Sequence, residues 1–335
     1  MDKKIRVLIV DDSSLMRSAI ESILRSDNKI EVVGTASDGA EAIKKTKVLK
    51  PDVITMDLKM PIMGGFEAIE KIMSEIPTPI IMVSTMEVEV IVKALGIGAM
   101  DFVPVTQDIN AISRNLIGKV KIASKVKAIK RIKIEPLKAK KIFKKRKISK
   151  VVAIGVSTGG PQALQVVLSQ LPKNLPAGIV IVQHMSEGFI AGLAEWLKST
   201  SSVDAKVACS KDKLKSGVAF FAPDNYDVGV DEDGVIELSE SVDKSAMYVP
   251  SIDVMMKSIA LAYGENAVGV IMTGMGRDGV KGILEIKKAG GKTIAQDEES
   301  SVIFGMNKVA IEKGCVDKVV SLEKIADEIV KAVEE

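Results

Sequence analysis

The chain contains a single histidine, His184, among its 335 residues. It directly follows an apolar run, residues 178–183. If an imidazole performs acid–base chemistry in this protein, only this side chain can supply it, and histidine is the residue whose charge changes near neutral pH. Any reactive partners of such an imidazole would have to lie close to His184.

Two other short apolar runs end in the same way as the run before His184. Residues 151–156 lead into Ser157, and residues 267–272 lead into a glycine-rich loop that contains Asp278. β-Branched runs of this length, ending in a turn before helix-like sequence, are typical of strands buried in a parallel sheet. The carboxyl ends of such strands share one edge of the sheet, where open α/β folds place their chemistry. We therefore expect serine, histidine and aspartate to meet there, as in a nucleophilic hydrolase.

The chemistry of these side chains assigns each a role. Ser157 attacks an acyl carbon, and His184 takes its proton and returns it to the leaving group. Asp278 fixes the imidazole tautomer and stabilises the imidazolium. The developing oxyanion needs preorganised donors, for which we expect the backbone amides of Thr158 and Met275.

The motif around the serine is weak by itself. Residues 155–159 match G-x-S-x-G, but Ser157 could instead cap the helix predicted to begin near Gln162. The same glycines loosely resemble a phosphate loop. A dinucleotide site, however, needs an acidic residue about 20 positions on, at the end of the second strand, where this chain has Gln183 and His184.

Residues 1–118 alternate strand and helix signals, which predicts another parallel sheet covered by helices. Asp11, Asp12 and Asp57 each follow a predicted strand and should lie at one edge. Crowded carboxylates repel one another unless a hard cation such as Mg²⁺ lies between them. A carboxylate held against Mg²⁺ can also act as a nucleophile toward a phosphoryl group. The predicted strands here cover residues 7–10, 31–36, 52–56, 79–83 and 101–103, and helices cover 14–25 and 40–49.

Length and charge divide the chain in two. A length of 335 residues favours two domains. Residues 119–150 carry 15 Lys or Arg against one acid, a net charge of +14, which predicts a solvated linker. We place the linker at 119–149, between domains at 1–118 and 150–335. Docking to an acidic protein is an alternative, whereas nucleic acid binding is disfavoured because Phe143 is the only aromatic residue of the segment.

The cysteines and the apolar runs of the sequence give indirect information about the cellular compartment. Cys209 and Cys315 give neither a metal-ligand spacing nor a disulfide framework, which is typical of a reducing cytoplasm. No apolar stretch approaches the roughly 18–20 residues that span a bilayer. The apolar run near the start is interrupted by acids, so we interpret it as a strand rather than a signal peptide. We expect a cytoplasmic protein without membrane insertion.

Three motifs of the first half resemble a two-component receiver domain. They are Val-Asp-Asp-Ser-Ser-Leu-Met-Arg at residues 10–17, Asp-Leu-Lys-Met-Pro at 57–61 and Met-Val-Ser at 82–84. The resemblance implies a flavodoxin-like fold that is phosphorylated on Asp57. It also implies that Ser84 and Phe102 read the phosphate and move. It further implies a Mg²⁺ site made by Asp12, Asp57 and the backbone carbonyl of Lys59, beside Asp11.

One departure concerns the lysine that pairs with the phosphoryl group in receivers. The usual Asp-Phe-Val-x-Lys-Pro is replaced by Asp-Phe-Val-Pro-Val-Thr at residues 101–106, with Val105 in the lysine position. Lys59 stands two residues after Asp57, and our hypothesis is that it supplies the missing cation. The alternative is that phosphoryl switching is impaired in this chain.

Over nearly its whole length the chain resembles the chemotaxis response-regulator protein-glutamate methylesterases. That family hydrolyses γ-glutamyl methyl esters on the cytoplasmic helices of chemoreceptors and often deamidates receptor glutamines. The resemblance implies a Rossmann-like α/β second domain without a cofactor, and a receiver that covers the esterase opening until the chemotaxis histidine kinase phosphorylates it. Chemoreceptors and that kinase are the implied partners. The motifs lie, in the family's order, at residues 155–161, 183–185, 250–254, 273–279, 293–298 and 304–306.

Two positions depart from the family pattern. Asp227 stands where the Ala-Pro segment usually ends in histidine, and Val249 stands where an arginine usually precedes Pro250. An alternative from another class is a phospho-responsive adaptor whose second domain keeps the fold without turnover. The intact set of Ser157, His184 and Asp278 favours the hydrolase.

Overall fold

A computed structural model describes residues 3–85, 87–106, 108–126, 148–240 and 248–335. The chain divides into two compact units, Met1–Lys133 and Ile134–Glu335. Most of the predicted linker, residues 127–147, lies outside the described residues, and its solvated character stays a prediction. None of the helices in the described ranges is long and apolar enough to span a membrane.

The first unit alternates strands and helices as its sequence predicts. Its strands form one parallel sheet in the order β2-β1-β3-β4-β5, which is the flavodoxin-like order. Strands β3 and β4 are buried along their whole length, because helices cover both faces of a parallel sheet. The elements are β1 (Ile5–Val10), α1 (Ser14–Arg25), β2 (Ile30–Ala36), α2 (Gly39–Leu49), β3 (Val53–Met56), α3 (Gly65–Glu75), β4 (Ile80–Ser84), α4 (Val88–Ile97), β5 (Asp101–Pro104) and α5 (Ile109–Ala123).

Helix α5 continues five residues past residue 118, where the sequence predicts the linker to follow. Val120 and Ala123 are buried, so the apolar face of the helix extends to its end. Lys119 bonds Asp101 at 2.6 Å, and a second lysine of the same turn also pairs with an acid of this unit. The predicted boundary is therefore wrong by at least five residues, because these lysines lie on a packed helix rather than in a solvated segment.

The second unit has a larger parallel sheet in the order β14-β13-β12-β6-β7-β9-β8, together with an antiparallel hairpin, β10-β11. The sequence predicts β6, β7 and β12 but leaves the hairpin unassigned. The elements are β6 (Lys150–Val156), α6 (Gly160–Gln170), β7 (Ala177–Gln183), α7 (Ile190–Thr200), β8 (Asp204–Val207), β9 (Val218–Phe221), β10 (Tyr226–Val230), β11 (Ile236–Glu240), α8 (Ile252–Tyr263), β12 (Ala267–Ile271), α9 (Val280–Lys288), β13 (Lys292–Gln296), α10 (Met306–Glu312), β14 (Lys318–Val320) and α11 (Leu322–Glu334).

The direction of winding reverses at β6 in this sheet. Strand β7 lies on one side of β6 and β12 on the other. The register pairs Val156 with Gln183, and Gly155 with Ile271, so the three strands end at similar heights. Doubly wound sheets bind ligands at such a switch point. Both sheets confirm the predicted α/β class, and this one brings the loops after β6, β7 and β12 together.

Helix α8 packs against the sheet beside these strand ends. Its buried residues Ile252, Met255 and Ile259 belong to the core of the second unit. The close approach of α8 to β6 requires glycine at position 155, because a Cβ there would lie 2.3 Å from Cγ2 of Ile252. The N-terminus of α8 is thereby held against the loop that follows β12.

Candidate active site

His184 and Asp278 form a hydrogen bond across the switch point. His184 Nε2 lies 2.9 Å from Asp278 Oδ2, and the two side chains are only 8% and 10% exposed. The main-chain amide of His184 also donates to the Val156 carbonyl at 3.0 Å, which fixes the histidine beside the end of β6. The structure thus joins two residues that are 94 positions apart in the sequence.

The N-terminus of α8 holds the Asp278 carboxylate. The amides of Ile252 and Asp253 donate to it at 2.7 and 3.0 Å, and the hydroxyl of Ser251, the N-cap of α8, donates at 3.0 Å. Burial raises the pKa of Asp278, but the hydrogen bonds from His184 and these amides outweigh it, so the pKa lies below its ordinary value. Asp278 is therefore a fixed, ionised acceptor.

The other ring nitrogen of His184, Nδ1, is buried and has no hydrogen-bond partner within the described ranges. An ionised carboxylate can only accept a hydrogen bond, so Nε2 carries the proton that it donates, and in the neutral ring Nδ1 carries the lone pair. A buried lone pair without a donor is suited to accept a proton from a reacting group. The serine-protease template, in contrast, presents Nδ1 to its aspartate.

Ser157 begins the turn between β6 and α6. Its amide donates to the Thr273 carbonyl at 3.0 Å, and its carbonyl accepts from Nε2 of Gln183 at 2.9 Å. The N-cap of α6 is Gly159, which has no side-chain capping bond, so the capping alternative for Ser157 is wrong. Within the described parts of the chain the Ser157 hydroxyl makes no hydrogen bond with His184, although the two residues follow neighbouring strands.

The loop after β12 passes directly over the serine. A Cβ at position 274 would lie 2.6 Å from Cβ of Ser157, so only glycine allows the loop to come this close. Across the described residues, the amides of Thr158 and Met275 have no hydrogen-bond acceptor. Two backbone donors in the loops at the serine are thus unpaired among the described residues.

A buried polar network that the sequence did not predict supports this loop. The Thr273 hydroxyl donates to the Thr158 carbonyl at 2.9 Å, and the Thr273 amide donates to Oε1 of Gln296 at 2.9 Å. Asn307 is fully buried and donates to the Gln296 carbonyl. The sequence signal was available, since Thr273 and Gln296 both stand at strand ends, where a buried polar residue needs a specific partner.

The two positions that depart from the family pattern, Asp227 and Val249, lie close to the N-terminus of α8. Asp227 is 6% exposed and accepts a hydrogen bond from the Ser251 amide at 2.7 Å. Burial raises its pKa, and the charge of Asp278 adds to this effect, while the Ser251 bond opposes it. Val249 joins Pro250 through a cis peptide bond in the segment that leads to α8. Asp227 therefore helps to hold the helix N-terminus that carries Asp278.

The first unit brings its predicted acidic residues to one edge. Asp57 accepts bonds from the Ser84 hydroxyl at 2.9 Å and from the Lys59 amide at 3.3 Å. Burial raises the pKa of Asp57, partly offset by the Ser84 bond, and the charge of Asp12 raises it further. Burial raises the pKa of Asp11 to about 6, with the charges of Asp57 and Asp12 adding to it. The charges of Asp12 and Asp57 thus act on neighbouring carboxyl groups at this edge.

The donor set at this edge fits Mg²⁺. No group of three or more His, Cys, Asp or Glu side chains within the described ranges could enclose a metal. Mg²⁺, however, is usually held by one or two carboxylates and retains several waters. Two carboxylates and a carbonyl would meet that requirement, and a cation there would offset the burial and the neighbouring carboxylate charges that raise the pKa of Asp11.

Three further receiver-unit residues bear on the proposed switch and its missing lysine: Phe102, Lys119 and Lys59. Phe102 is 2% exposed. Lys119 bonds Asp101 at the start of β5, the opposite end from the acidic edge, and its Nζ lies 5.7 Å from the Phe102 ring centroid. Lys59 is exposed, and its backbone amide donates to Asp57, so its role as the compensating cation stays a prediction.

Comparison with known families is consistent with both units. Residues 152–329 match the CheB methylesterase family, and residues 7–116 match the response regulator receiver domain. The first match covers more than half of the chain. The chain belongs to the CheB methylesterase family. It is therefore a hydrolase coupled to a response-regulator receiver, which confirms the family predicted from the sequence.

Relatives of this family match both units together. The protein-glutamate methylesterase/protein-glutamine glutaminase of Pyrococcus abyssi is 44% identical, over 99% of this chain and 94% of that protein. The protein of the same name from Lawsonia intracellularis is 41% identical, over 98% of this chain and 99% of that protein. The crystal structure of the Thermotoga maritima CheB methylesterase catalytic domain is 40% identical, with a TM-score of 0.53, over 55% of this chain and 98% of that domain.

Proposed function

We propose that this chain hydrolyses γ-methyl esters of glutamate side chains on the cytoplasmic helices of chemoreceptors, releasing methanol, and also deamidates receptor glutamines. The names of full-length relatives support the substrate class. One observation carries the proposal: His184, whose backbone amide bonds the Val156 carbonyl next to Ser157, is anchored through Nε2 to an ionised Asp278, while Nδ1 has no partner among the described residues. The enzyme then acts in the cytoplasm, where those helices lie.

The proposed mechanism uses Ser157 as nucleophile and His184 as the proton carrier. Nδ1 accepts the hydroxyl proton as Ser157 Oγ bonds to the ester carbon, and Asp278 stabilises the resulting imidazolium. Nδ1 then protonates the departing methoxide, which leaves as methanol. Water attacks the acyl-serine by the same route and releases glutamate. With a glutamine side chain, the leaving group is ammonia.

The negative oxygen of each tetrahedral intermediate needs fixed donors. The unpaired amides of Thr158 and Met275 flank the serine and are our candidates for this role. The network around Thr273 supports them, because it fixes both loops before substrate arrives. Preorganised donors of this kind each contribute roughly 10²–10³-fold to the rate.

The receiver unit is the proposed control element. Asp57 would accept a phosphoryl group from the chemotaxis histidine kinase, and Ser84 and Phe102 would respond to it. Asp12, Asp57 and the Lys59 carbonyl would hold Mg²⁺ beside Asp11, and the ion would supply positive charge for phosphoryl transfer. Phosphorylation adds about −1.5 to −2 charges and strong acceptors, which is enough to reorder a neighbouring loop.

Methanol release from a methylated receptor tests the proposal. We expect release by the wild-type chain, an increase when a small phosphodonor and Mg²⁺ are added, and loss of release with Ser157→Ala under both conditions. Equal release by wild type and Ser157→Ala would contradict the mechanism.

A serine-directed fluorophosphonate separates an enzyme from the adaptor alternative. The probe should label Ser157 in wild type, and labelling should fall sharply in His184→Gln, which keeps a polar side chain but cannot activate the serine. An adaptor that has lost turnover should show no labelling of Ser157 in either protein.

A further inference from the structure

The ring of Tyr248 lies flat against the imidazole of His184. The ring centroids are 4.4 Å apart, and the planes differ by 7°. Neither the sequence motifs nor the Ser157, His184 and Asp278 set includes this tyrosine. It stands three residues before Ser251, whose hydroxyl bonds Asp278. One segment therefore supports both the aspartate and the face of the histidine.

A single hydrogen bond at Nε2 leaves the imidazole free to tilt about its Cβ–Cγ bond. Tilting would move Nδ1, which has no hydrogen-bond partner among the described residues to resist the motion. A parallel ring at 4.4 Å blocks that motion on one face. The negative face of an aromatic ring also attracts a cation, so it favours the imidazolium that forms when the serine proton is taken.

We propose that Tyr248 is a positioning residue that fixes the ring plane of His184 and stabilises its protonated form during catalysis. The proposal rests on the function proposed above. It assigns the effect to the aromatic ring of Tyr248, so that phenylalanine should replace tyrosine and an aliphatic residue should not.

The other charged groups around His184 stay unchanged when Tyr248 is replaced. Asp278 forms a hydrogen bond with Nε2 of His184. Asp227 and Asp253 interact electrostatically with Asp278 and add negative charge near it. Glu187, three residues after His184, pairs with Asn225. Because a change at position 248 leaves these carboxylates in place, a change in pH dependence reports on the stack.

The test compares Tyr248→Phe and Tyr248→Leu in the full chain, with Tyr263→Leu as a matched control. Tyr263 ends α8, at the far end of the helix from the site. Because the chain has one histidine, a sample prepared without a histidine tag gives a single set of imidazole ring signals in the proton NMR spectrum. These signals report the stack without any need for turnover.

With Tyr248→Leu we expect kcat to fall roughly 10- to 100-fold, as for a misplaced catalytic group, with a smaller change in KM. The midpoint of the pH profile of kcat/KM should move about half a unit toward lower pH, as the imidazolium loses the aromatic face. The His184 ring protons should lose the upfield ring-current shift. Tyr248→Phe and Tyr263→Leu should match wild type within about twofold.

Two outcomes would overturn the inference. One is Tyr248→Leu with wild-type kcat, pH profile and His184 signals. The other is Tyr248→Phe as impaired as Tyr248→Leu, which would assign the effect to the hydroxyl. Absence of methanol release by wild type, with the ring-current shift present, would instead reject the proposed function and leave the stack established.

Discussion

The imidazole of His184 is fixed by three different contacts. Asp278 holds Nε2, the Val156 carbonyl holds the main chain, and Tyr248 covers one face. Each contact restricts a different degree of freedom, which leaves Nδ1 as the one ring atom available to a reacting proton. Asp278 receives several hydrogen bonds, and a buried carboxylate needs such bonds in order to stay ionised.

The anion at position 278 decides which tautomer His184 adopts. In Asp278→Asn the amide can donate to Nε2, which would place the proton on Nδ1 and remove the base. We expect kcat to fall roughly 10³- to 10⁴-fold, as in comparable triads. Methanol release measures the effect, and Asp317→Asn, a carboxylate bonded to Thr293 elsewhere in the sheet, should be close to wild type. A loss below tenfold in Asp278→Asn would contradict the tautomer argument.

The same anion predicts how the second unit responds to acid. Because the folded state lowers the pKa of Asp278, its contribution to the free energy of unfolding is complete above the unfolded value of 3.8 and is lost as pH falls through the lower, folded value. We expect the thermal midpoint of wild type to fall more steeply below about pH 4 than that of Asp278→Asn. Parallel midpoint curves for the two proteins would contradict this assignment.

At the scale of elements, both functional edges are made by strand ends, and the helices behind them decide their properties. The N-terminus of α8 stabilises a buried carboxylate with free amides and a positive dipole end. At the acidic edge of the first unit, burial and the charges of neighbouring carboxylates raise the pKa values of Asp11 and Asp57, and the opposing Ser13 amide and Arg17 charge at Asp11 do not outweigh them. The two sheet edges therefore shift carboxyl pKa values in opposite directions: the pKa of Asp278 is lowered, whereas those of Asp11 and Asp57 are raised.

The raised pKa of Asp11 gives a test of the Mg²⁺ site. Folding favours the protonated form, so without Mg²⁺ the stability of the first unit should decline as pH rises from 3.8 toward about 6. We expect Asp11→Asn to lessen that decline and to raise the metal-free thermal midpoint at pH 7.5. Mg²⁺ should raise the wild-type midpoint more at pH 7.5 than at pH 5, because protons compete at the lower pH. An equal Mg²⁺ effect at both values would contradict the assignment.

Helix α5 offers a stability test that does not involve either site. Gly118 lies inside the helix, and a Cβ there would contact nothing within 4 Å. Gly118→Ala should raise the free energy of unfolding of the first unit by about 0.5–1 kcal/mol, since alanine loses less conformational entropy on entering a helix. Urea unfolding measures the change. Destabilisation would show that the helix end is not packed as described.

At the scale of the whole molecule, the chain joins a response-regulator receiver unit to a hydrolase unit, with a strongly basic segment between them. Each unit has its own core and its own reactive edge. The basic charge lies mostly in residues 127–147, outside the described residues, so the role of that segment as a linker remains a prediction. Control of one unit by the other is thus a property to be measured on the full chain.

The missing receiver lysine makes a specific prediction about that control. If Lys59 supplies the cation, Lys59→Ala should lose the increase in methanol release that a phosphodonor gives to wild type. Lys71→Ala, a change at a partly exposed lysine that is paired with Glu67 on α3, is the matched control and should keep the increase. Activation of Lys59→Ala equal to wild type would reject the compensation hypothesis, and absence of activation in wild type itself would favour an impaired switch.

The sequence by itself determined the strand ends, the two α/β units and the candidate residues at each edge. These follow from local signals, since buried runs, glycine turns and short motifs are each contained in a few neighbouring residues. The end of the first unit was misplaced because the alternating lysines of residues 119–123 give the pattern of a linker, and only packing shows that their apolar neighbours are buried.

The tertiary structure alone decided which imidazole nitrogen is held, what supports Asp278, where Asp227 lies and that Tyr248 covers His184. Each of these depends on contacts between residues far apart in the chain, such as the pair 94 positions apart that joins His184 to Asp278. Hydrogen-bond direction and ring stacking are set by three-dimensional geometry to within a fraction of an ångström, and local sequence patterns carry no such information.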